Sequence, residues 1–189
     1  MYSDKINDPA FARYLQNSNR WSAMFSFILA AIAITSFYVA GEMGVSDLAN
    51  PEALYIGLTI GCMFLAIALY QIRSRMSSKT WDGQVVDKRI EQKRRKREAG
   101  NNDYYWQEYL LYTVFVRSDS GKLHTLTAED DDTVYNYYAI GDRVRHHGGL
   151  NSYEKLDKSG DAIIFCNACA SLNDINEDYC HRCHCPLLK

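Results

Sequence analysis

The four cysteines near the C-terminus are the residues in this chain best suited to chemistry. They form two Cys-x2-Cys pairs, Cys166–Cys169 and Cys180–Cys183, separated by ten residues. Each pair predicts a tight knuckle that directs two thiolates towards one point, so two knuckles supply four sulfurs in a tetrahedron. Zn²⁺ binds thiolates tightly and has no geometric preference of its own. The spacing therefore predicts one structural Zn²⁺ held by Cys166, Cys169, Cys180 and Cys183.

The two knuckles form a small internal repeat, which separates the ligands from their neighbours. When the repeats are aligned on their cysteines, Cys185 falls opposite Ser171, and we therefore predict that Cys185 is not a ligand. His181 and His184 are chemically able to bind zinc, but their use would break the pairing of the knuckles. Residues 163–189 resemble a zinc ribbon, and we assign them to one domain.

Three other chemistries fit the cysteine spacing less well. A disulfide framework requires an oxidising compartment, which the predicted membrane topology contradicts. A thioredoxin-like redox pair requires a βαβ context around one Cys-x-x-Cys, and none is visible. An iron–sulfur or catalytic zinc site stays open, but four thiolates fill the shell and leave no position for a substrate. The expected role is folding, because structural zinc contributes roughly 10–16 kcal/mol in peptides of this kind.

Two apolar segments have the length and composition of membrane spans. Trp21–Ala40 and Ala53–Ile72 are each twenty residues without a charged side chain. At about 1.5 Å per residue each reaches roughly 30 Å as a helix, the hydrocarbon thickness of a bilayer. Buried helices of a soluble core rarely stay uncharged on every face over this length. We therefore predict transmembrane helices at residues 21–40 and 53–72, with Cys62 as a small buried hydrophobe.

Lysine and arginine residues predict the orientation of the two spans. Residues 1–20 carry three of them and residues 73–89 carry five. The intervening residues 41–52 carry none and contain three acids, Glu42, Asp47 and Glu52. Because positive charge stays on the cytoplasmic side, we predict a multi-pass protein of the cell membrane with both termini cytoplasmic. The segment 41–52 is then a short external loop, and the cysteines lie in a reducing compartment.

Small residues predict close helix packing within the membrane. Gly57 and Gly61 form a row on the second span, and Ser22, Ser26 and Ala30 form a row on the first. Such rows let helix backbones approach closely in lipid. The partner of each row is either the other span or a second copy of the chain, so a homo-oligomer stays open. Neither span contains Asp, Glu, Lys, Arg or His, which argues against a transporter or a proton relay.

Residues 81–157 predict a small all-β domain. Segments rich in aromatic and β-branched residues alternate with glycine-containing turn sequences. Short strands joined by turns over this length suggest a small barrel of the SH3 or OB type. Helix is the alternative for Tyr104–Leu111 only. The predicted strands are Gln84–Glu91, Tyr104–Arg117, Lys122–Thr127, Arg143–Arg145 and Asn151–Leu156, with a helical turn at Tyr135–Ile140.

Three short motifs in this domain carry a resemblance to known proteins. They are Gly83 near the first strand, the turn Gly141-Asp142-x-Val144, and the segment Tyr153-Glu154-Lys155. Their arrangement resembles a domain of uncharacterised bacterial membrane proteins that combine a membrane hairpin, a small β-barrel and a zinc ribbon. The resemblance covers most of the chain and implies the same architecture here, without an established activity.

A run of basic residues is the most prominent charged feature of the middle domain. Residues 88–97 contain seven basic side chains and one acid, and the centre of the run is Lys93, Arg94, Arg95, Lys96 and Arg97. We predict a loop at a hairpin tip, continuing into Asn101-Asn102-Asp103. Three roles stay open for this loop. It is solvated and binds nothing, it contacts anionic lipid of the inner leaflet, or it contacts nucleic acid. The chain's net charge of −2 does not favour nucleic acid.

Two further clusters are predicted to be ordinary surface features. Glu129–Asp132 lacks the glycine turn and alternating carboxylates of a calcium loop, so we expect a solvated loop. His146 and His147 would point to opposite faces of a strand, so both cannot easily bind one metal, and we predict turn-flanking surface residues. The sequence shows no phosphate-cradling glycine loop, no nucleophile elbow and no carboxylate pair of defined spacing.

These features favour a function without catalysis. A charge-free hairpin anchor and a closed zinc site predict a membrane-anchored, non-enzymatic adaptor or sensor. It would present the β-barrel and the zinc ribbon at the cytoplasmic face to a protein partner. The alternative is a membrane-tethered nucleic-acid-binding protein that uses the basic run and the ribbon together. An enzyme of unrecognised type is the third class, and a deep pocket with convergent polar groups would favour it.

Overall fold

The computed structural model describes residues 2–44, 49–100 and 103–189. The chain forms two compact units. One holds residues 7–78 with 148–150, and the other holds the residues before Asn7 together with 79–147 and 151–189. The order of two long apolar helices, an antiparallel sheet and a cysteine cluster confirms the coarse architecture that the sequence predicts.

The first unit is built on two helices, α1 (Pro9–Met43) and α2 (Glu52–Ser77). Helix α1 begins with Pro9 at its first position, where the missing N–H costs nothing. The Asp8 carboxylate accepts a 2.7 Å hydrogen bond from the Ala10 amide, and Gly44 ends the helix in the left-handed conformation at φ 61°. Both helices extend beyond the predicted spans. Asp47 of the predicted external loop lies outside the described residues.

The small residues of α2 face α1. A Cβ at Gly57 would come within 2.9 Å of the Phe37 Cβ and 3.2 Å of the Ala33 carbonyl, and one at Gly61 would meet Ile34 at 3.2 Å. Glycine therefore permits this helix–helix approach. On α1, Ala30 is buried. Ser22 and Ser26 are half-buried, and the Ser26 hydroxyl donates to the Ser22 carbonyl at 3.0 Å.

Both helices are long and apolar enough to cross a membrane. Large apolar side chains point outward along them, such as Phe27 at 63 % exposure and Leu69 at 69 %. Cys62 is also exposed rather than buried, so its prediction as a buried hydrophobe is wrong. The reason is that Gly57 and Gly61 occupy the α2 face that packs on α1, and Cys62 lies beside that face.

The second unit contains a five-stranded antiparallel sheet with the order β3-β2-β1-β4-β5. The central strand β1 pairs with β2 along most of its length and with β4 at its start. A short helix, α3, connects β3 to β4. The bounds are β1 Trp81–Gly100, β2 Asp103–Ser118, β3 Leu123–Glu129, α3 Thr133–Tyr137, β4 Arg143–His147 and β5 Ser152–Lys155.

The core of the sheet lies on one face and is covered by α3 and the residue after it. Val85, Val116 and Val144 are almost completely buried, and Tyr137 and Tyr138 pack against them. Gly83 is needed where β1 passes close to β2, because a Cβ there would lie 2.5 Å from the Arg117 carbonyl oxygen.

The structure corrects two predictions about the longest strands. Residues 104–111 form part of β2, so the helical alternative is wrong. The basic run is not a loop either. Lys93 to Arg97 lie in β1 and pair directly with β2, for example Lys93 with Tyr109 and Lys96 with Trp106. Cross-strand contacts between cations and aromatic rings stabilise an extended conformation. Asn101 and Asn102 lie outside the described residues.

The cysteine segment contains a two-stranded sheet, with one strand before the first cysteine pair and the other between the two pairs. The sheet consists of β6 (Ile163–Phe165) and β7 (Leu172–Asp174). Phe165 meets Tyr137 edge to face, with ring centroids 5.0 Å apart. Ile164, Leu187 and Leu188 are buried. The cysteine segment therefore packs onto the larger sheet and shares its core.

Candidate metal centre

The four predicted ligand cysteines come together at one point. The Sγ atoms of Cys166, Cys169, Cys180 and Cys183 all lie within 4.8 Å of one another. Cys166 and Cys183 are 3.5 Å apart, and Cys169 and Cys180 are 3.6 Å apart. A tetrahedron with Zn–S bonds of about 2.3 Å has edges of about 3.8 Å. The donor set therefore fits a single tetrahedral metal ion with thiolate ligands.

The internal repeat seen in the sequence is also a repeat of backbone hydrogen bonds. The Cys166 amide donates to the Ser171 carbonyl at 2.9 Å, and the Cys180 amide donates to the Cys185 carbonyl at the same distance. Ala170 and His184 occupy equivalent left-handed positions, each with φ 57°. Cys185 is therefore the backbone counterpart of Ser171, and its sulfur is outside the group of four.

Without a bound cation, the thiols of Cys166, Cys180 and Cys183 differ in pKa. Burial raises the pKa of the Cys166 thiol to about 12 and raises the pKa of Cys183 as well. Burial also acts to raise the pKa of Cys180, but hydrogen bonds from Ser171 and from backbone amides outweigh it and lower that pKa to about 6. One thiolate is thus favoured without a metal. A dication would stabilise the thiolates of Cys166 and Cys183, and its binding would release their protons.

Asn173 on β7 connects the two knuckles, and sequence reasoning missed it. Its buried side chain donates to the Ser171 carbonyl at 2.8 Å. Its Oδ1 accepts from the His181 amide at 3.1 Å and lies 2.8 Å from His181 Nδ1. One amide therefore fixes the end of the first knuckle against the start of the second. A short polar residue on the strand between two Cys-x2-Cys pairs is the signal that could have revealed it.

Replacing Asn173 with alanine should weaken metal binding without removing a ligand. Loss of groups that orient metal ligands typically lowers affinity by about 10–100-fold. The measurement is a competition titration of the full chain against a chromogenic chelator. Asn176→Ala is the matched control, because Asn176 is exposed and its side chain bonds to Asp174 in the adjacent turn. Equal affinities for the two variants would contradict the orienting role of Asn173.

The paired histidines are buried, so their prediction as surface residues is wrong. His146 and His147 are each about 5 % exposed. His146 stacks on Trp81 with ring centroids 5.1 Å apart and lies between the Lys79 carbonyl and the Asn151 side chain. The error arises because Trp81 and Lys79, which are distant in sequence, cover His146, and Glu154 of the neighbouring strand contacts His147. As expected, the two side chains have different partners and do not converge on one metal.

His147 belongs to a buried charged cluster around Glu154. The Glu154 carboxylate accepts from the Ser3 amide at 2.9 Å, lies 2.8 Å from His147 Nε2 and 3.1 Å from Lys158 Nζ. Burial acts to raise the pKa of Glu154, but these three groups together lower it below its ordinary value. The carboxylate is therefore held charged inside the domain, with its hydrogen-bonding capacity used by the chain itself.

A concavity of about 380 Å³ lies between α3 and the segment 160–163. Asp132 accepts from Asn136 at 2.8 Å and Asp161 Oδ1 accepts from Lys155 at 2.8 Å, whereas the buried Asp161 Oδ2 has no hydrogen-bond partner among the described residues. The acidic run Glu129–Asp132 also serves the local fold, since Glu129 pairs with Arg95 at 2.7 Å and Asp130 accepts from the Leu110 amide at 2.9 Å.

Among the described residues, the four cysteines form the group whose geometry fits a metal ion. Comparison of the chain with protein-family models, with curated proteins and with solved structures gives no significant match.

Proposed function

We propose that this chain is a membrane-anchored, non-enzymatic adaptor or sensor that presents a small β domain and a zinc ribbon at the cytoplasmic face to a protein partner. The observation that carries the proposal is the four-cysteine centre, within a ribbon that shares the core of the sheet. Four thiolates complete a tetrahedral shell and leave no open position for a substrate. Such a centre stabilises a surface instead of performing a reaction.

Zinc is the metal that best suits this donor set. Thiolate ligands select soft or borderline metals, and tetrahedral geometry with four sulfurs is typical of zinc or of iron–sulfur sites. The ribbon is short and its own apolar core is small, with Ile164, Leu187 and Leu188 as its buried side chains. A structural Zn²⁺ would therefore supply much of its folding free energy.

The outward-facing apolar side chains of α1 and α2 support membrane anchoring, because such surface is costly in water. The N-terminal segment supports a hairpin topology. The Tyr2 ring lies 4.1 Å from the Arg145 guanidinium, the Ser3 amide donates to Glu154, and Lys5 is 3.9 Å from Asp178. Residues before α1 and after α2 thus belong to one folded unit. The two ends of the helix pair must then lie on the same side of the membrane, which requires an even number of crossings. The distribution of lysine and arginine favours the cytoplasmic side for both ends.

The five-stranded sheet is compatible with a barrel of the OB type. An OB fold is a five-stranded, partly open Greek-key barrel. The observed order is β3-β2-β1-β4-β5, with α3 between β3 and β4. Pairing of β3 with β5 would close the barrel, and the ladders described here do not include that pair.

Cross-linking in native membranes tests the adaptor function. We expect a specific protein to be captured by the wild-type chain and lost when Cys166→Ser removes the metal. A reporter fused after Lys189 should be cytoplasmic. If no specific protein were captured, and the purified chain turned over a small molecule, the adaptor function would be refuted. An external reporter would refute the orientation.

A second candidate is a membrane-tethered nucleic-acid-binding protein. The observation that favours it is the pairing of the basic run on β1 with Tyr105, Trp106 and Tyr109 on β2, since cations beside aromatic rings bind single strands. Affinity should then fall steeply with salt and with neutralisation of Lys93–Arg97. Binding whose affinity does not change with salt, or an absence of binding, would exclude this function.

A homo-oligomer through the helices would use outward-facing residues, because the Gly57–Gly61 face packs on α1.

A further inference from the structure

The distal part of the β1–β2 hairpin extends beyond the rest of the sheet. Pairing of β2 with β3 begins at Leu111, and pairing of β1 with β4 covers only residues 81–84. Residues 92–100 and 103–110, here called the arm, therefore form a two-stranded ribbon among the described residues, about 30 Å long. An isolated two-stranded hairpin is at best marginally stable in water, so the arm gains from contact with another surface.

One face of the arm continues the core-facing side of the sheet. Alternate residues of β2 lie on this side, and they run from Val116 through Tyr112 to Leu110, Trp106 and Tyr104. Tyr112 is still covered, because Tyr135 of the α3 region meets its ring at 5.5 Å. Beyond it, Trp106 is 67 % exposed and Tyr104 is 55 % exposed. We call this side the Trp106 face.

The charges of the Trp106 face balance. Residues directly opposite in an antiparallel pair share a face, which places Arg94, Lys96, Glu98 and Glu108 on the Trp106 face. Two cations and two anions give this face no net charge. Lys96 Nζ also lies 3.9 Å from the centroid of the Tyr104 ring, which covers one side of a ring that a base would need for stacking.

This combination fits a bilayer interface better than a nucleic-acid strand. A polyanion requires excess positive charge, which the Trp106 face lacks, and a base needs open aromatic rings for stacking, of which Lys96 covers one side of Tyr104. Tryptophan and tyrosine beside lysine and arginine are the residues enriched where protein meets lipid headgroups, and Leu110 adds an aliphatic side chain. Long basic side chains there can extend towards phosphates while their stems stay apolar.

We propose that the Trp106 face of the arm lies in the headgroup region of the membrane that α1 and α2 anchor. Trp106, Tyr104 and Leu110 contact the acyl boundary, and Arg94 and Lys96 bind lipid phosphates. This inference rests on the membrane anchoring in the proposed function. The chain connection is short, since only residues 78–80 separate the end of α2 from the start of β1.

Site-specific photo-cross-linking of the full chain in native membranes tests the inference. The photoreactive residue p-benzoylphenylalanine replaces Trp106, Tyr105, Tyr179 or Phe27 in separate variants, and adducts are identified by mass. Tyr105 is the matched control on the opposite face of the arm, and Tyr179 is an exposed control in the ribbon. We expect lipid adducts at Phe27 and Trp106, and several-fold fewer at Tyr105.

The outcomes separate the two proposals. Lipid adducts at Phe27 without an excess at Trp106 over Tyr179 would overturn the arm proposal and leave the anchoring intact. An absence of lipid adducts at Phe27 would overturn the anchoring itself. Protein or nucleic-acid adducts in place of lipid at Trp106 would overturn the inference in favour of that partner. A Trp106→Ser variant adds a second readout, since loss of membrane contact should speed deuterium exchange at the amides of residues 104–110.

Discussion

Cys166→Ser and Cys180→Ser are each expected to abolish metal binding, from about one Zn²⁺ per chain to almost none. Each substitution removes one of four sulfurs that lie within 4.8 Å of one another, and the hydroxyl that replaces it is a poor zinc ligand. Structural zinc in comparable segments contributes on the order of 10–16 kcal/mol, so the ribbon should also lose its fold. Metal analysis of the purified full chain and limited proteolysis within residues 163–189 measure the two effects.

Cys185→Ser is the matched control for these variants. Cys185 is buried like Cys166 and Cys180, so the three substitutions cost similar packing. Its backbone carbonyl accepts from the Cys180 amide at 2.9 Å and its backbone amide donates to the Cys183 sulfur, and serine retains both groups. The control should therefore keep its metal. Loss of metal from Cys185→Ser would show that the repeat assigns the ligands incorrectly.

Acidification should weaken metal binding at the four-cysteine centre. The Cys166 thiol, with a pKa of about 12 without metal, must lose its proton when the metal binds. Protons therefore compete with the metal, and apparent affinity should rise with pH and fall on acidification. A chelator titration at several pH values measures this. An affinity that does not change with pH would contradict a site made of thiolates.

The convergence of the four cysteines was predictable because its determinants are local. Two Cys-x2-Cys pairs each close a knuckle through hydrogen bonds spanning four or five residues, and the repeat of those bonds distinguishes Cys185 from the group of four. The apolar helices were also predictable, since length and composition suffice to recognise them. The positions of the five strands along the chain were predictable, although β1 and β2 extend farther than expected.

The remaining errors concern contacts between residues far apart in the sequence. His146 and His147 have the composition of a turn flank, and the burial of His146 depends on Trp81, which lies in a distant part of the sequence. The basic run predicts a solvated loop, since a cluster of like charges disfavours a strand. Its opposite strand supplies aromatic rings and Glu108, which offset that repulsion. No local pattern predicts a bond between Ser3 and Glu154, which are 151 positions apart.

Glu154→Gln is expected to destabilise the second unit, which contains the five-stranded sheet, by about 3 kcal/mol. This is the lower end of the cost of breaking a buried ion pair. Glutamine fills the same volume and can still accept the hydrogen bond from the Ser3 amide. It removes the negative charge that compensates Lys158, whose side chain is 8 % exposed. An uncompensated buried ammonium is costly. Thermal unfolding of the full chain, followed by the fluorescence of the buried aromatic residues, measures the difference.

Asp119→Asn is the matched control for Glu154→Gln. Asp119 forms a bidentate pair with Arg143 at 2.7 and 2.9 Å, with geometry as good as that around Glu154. The pair is exposed, however, and solvent screens it, so stability should change little. If both variants lost the same stability, burial would not be the reason for the effect of Glu154.

The pH dependence separates the charge of Glu154 from its packing. The pKa of Glu154 is lowered in the folded chain, so its ionisation stabilises the fold fully above the ordinary carboxyl pKa, about 4.3. That contribution is lost as the pH falls through the lowered pKa. Glutamine does not titrate, so the stability gap between the wild type and Glu154→Gln should narrow progressively below about pH 4. A gap that stays constant into that range would show that the cost comes from packing and not from the charge of the buried carboxylate.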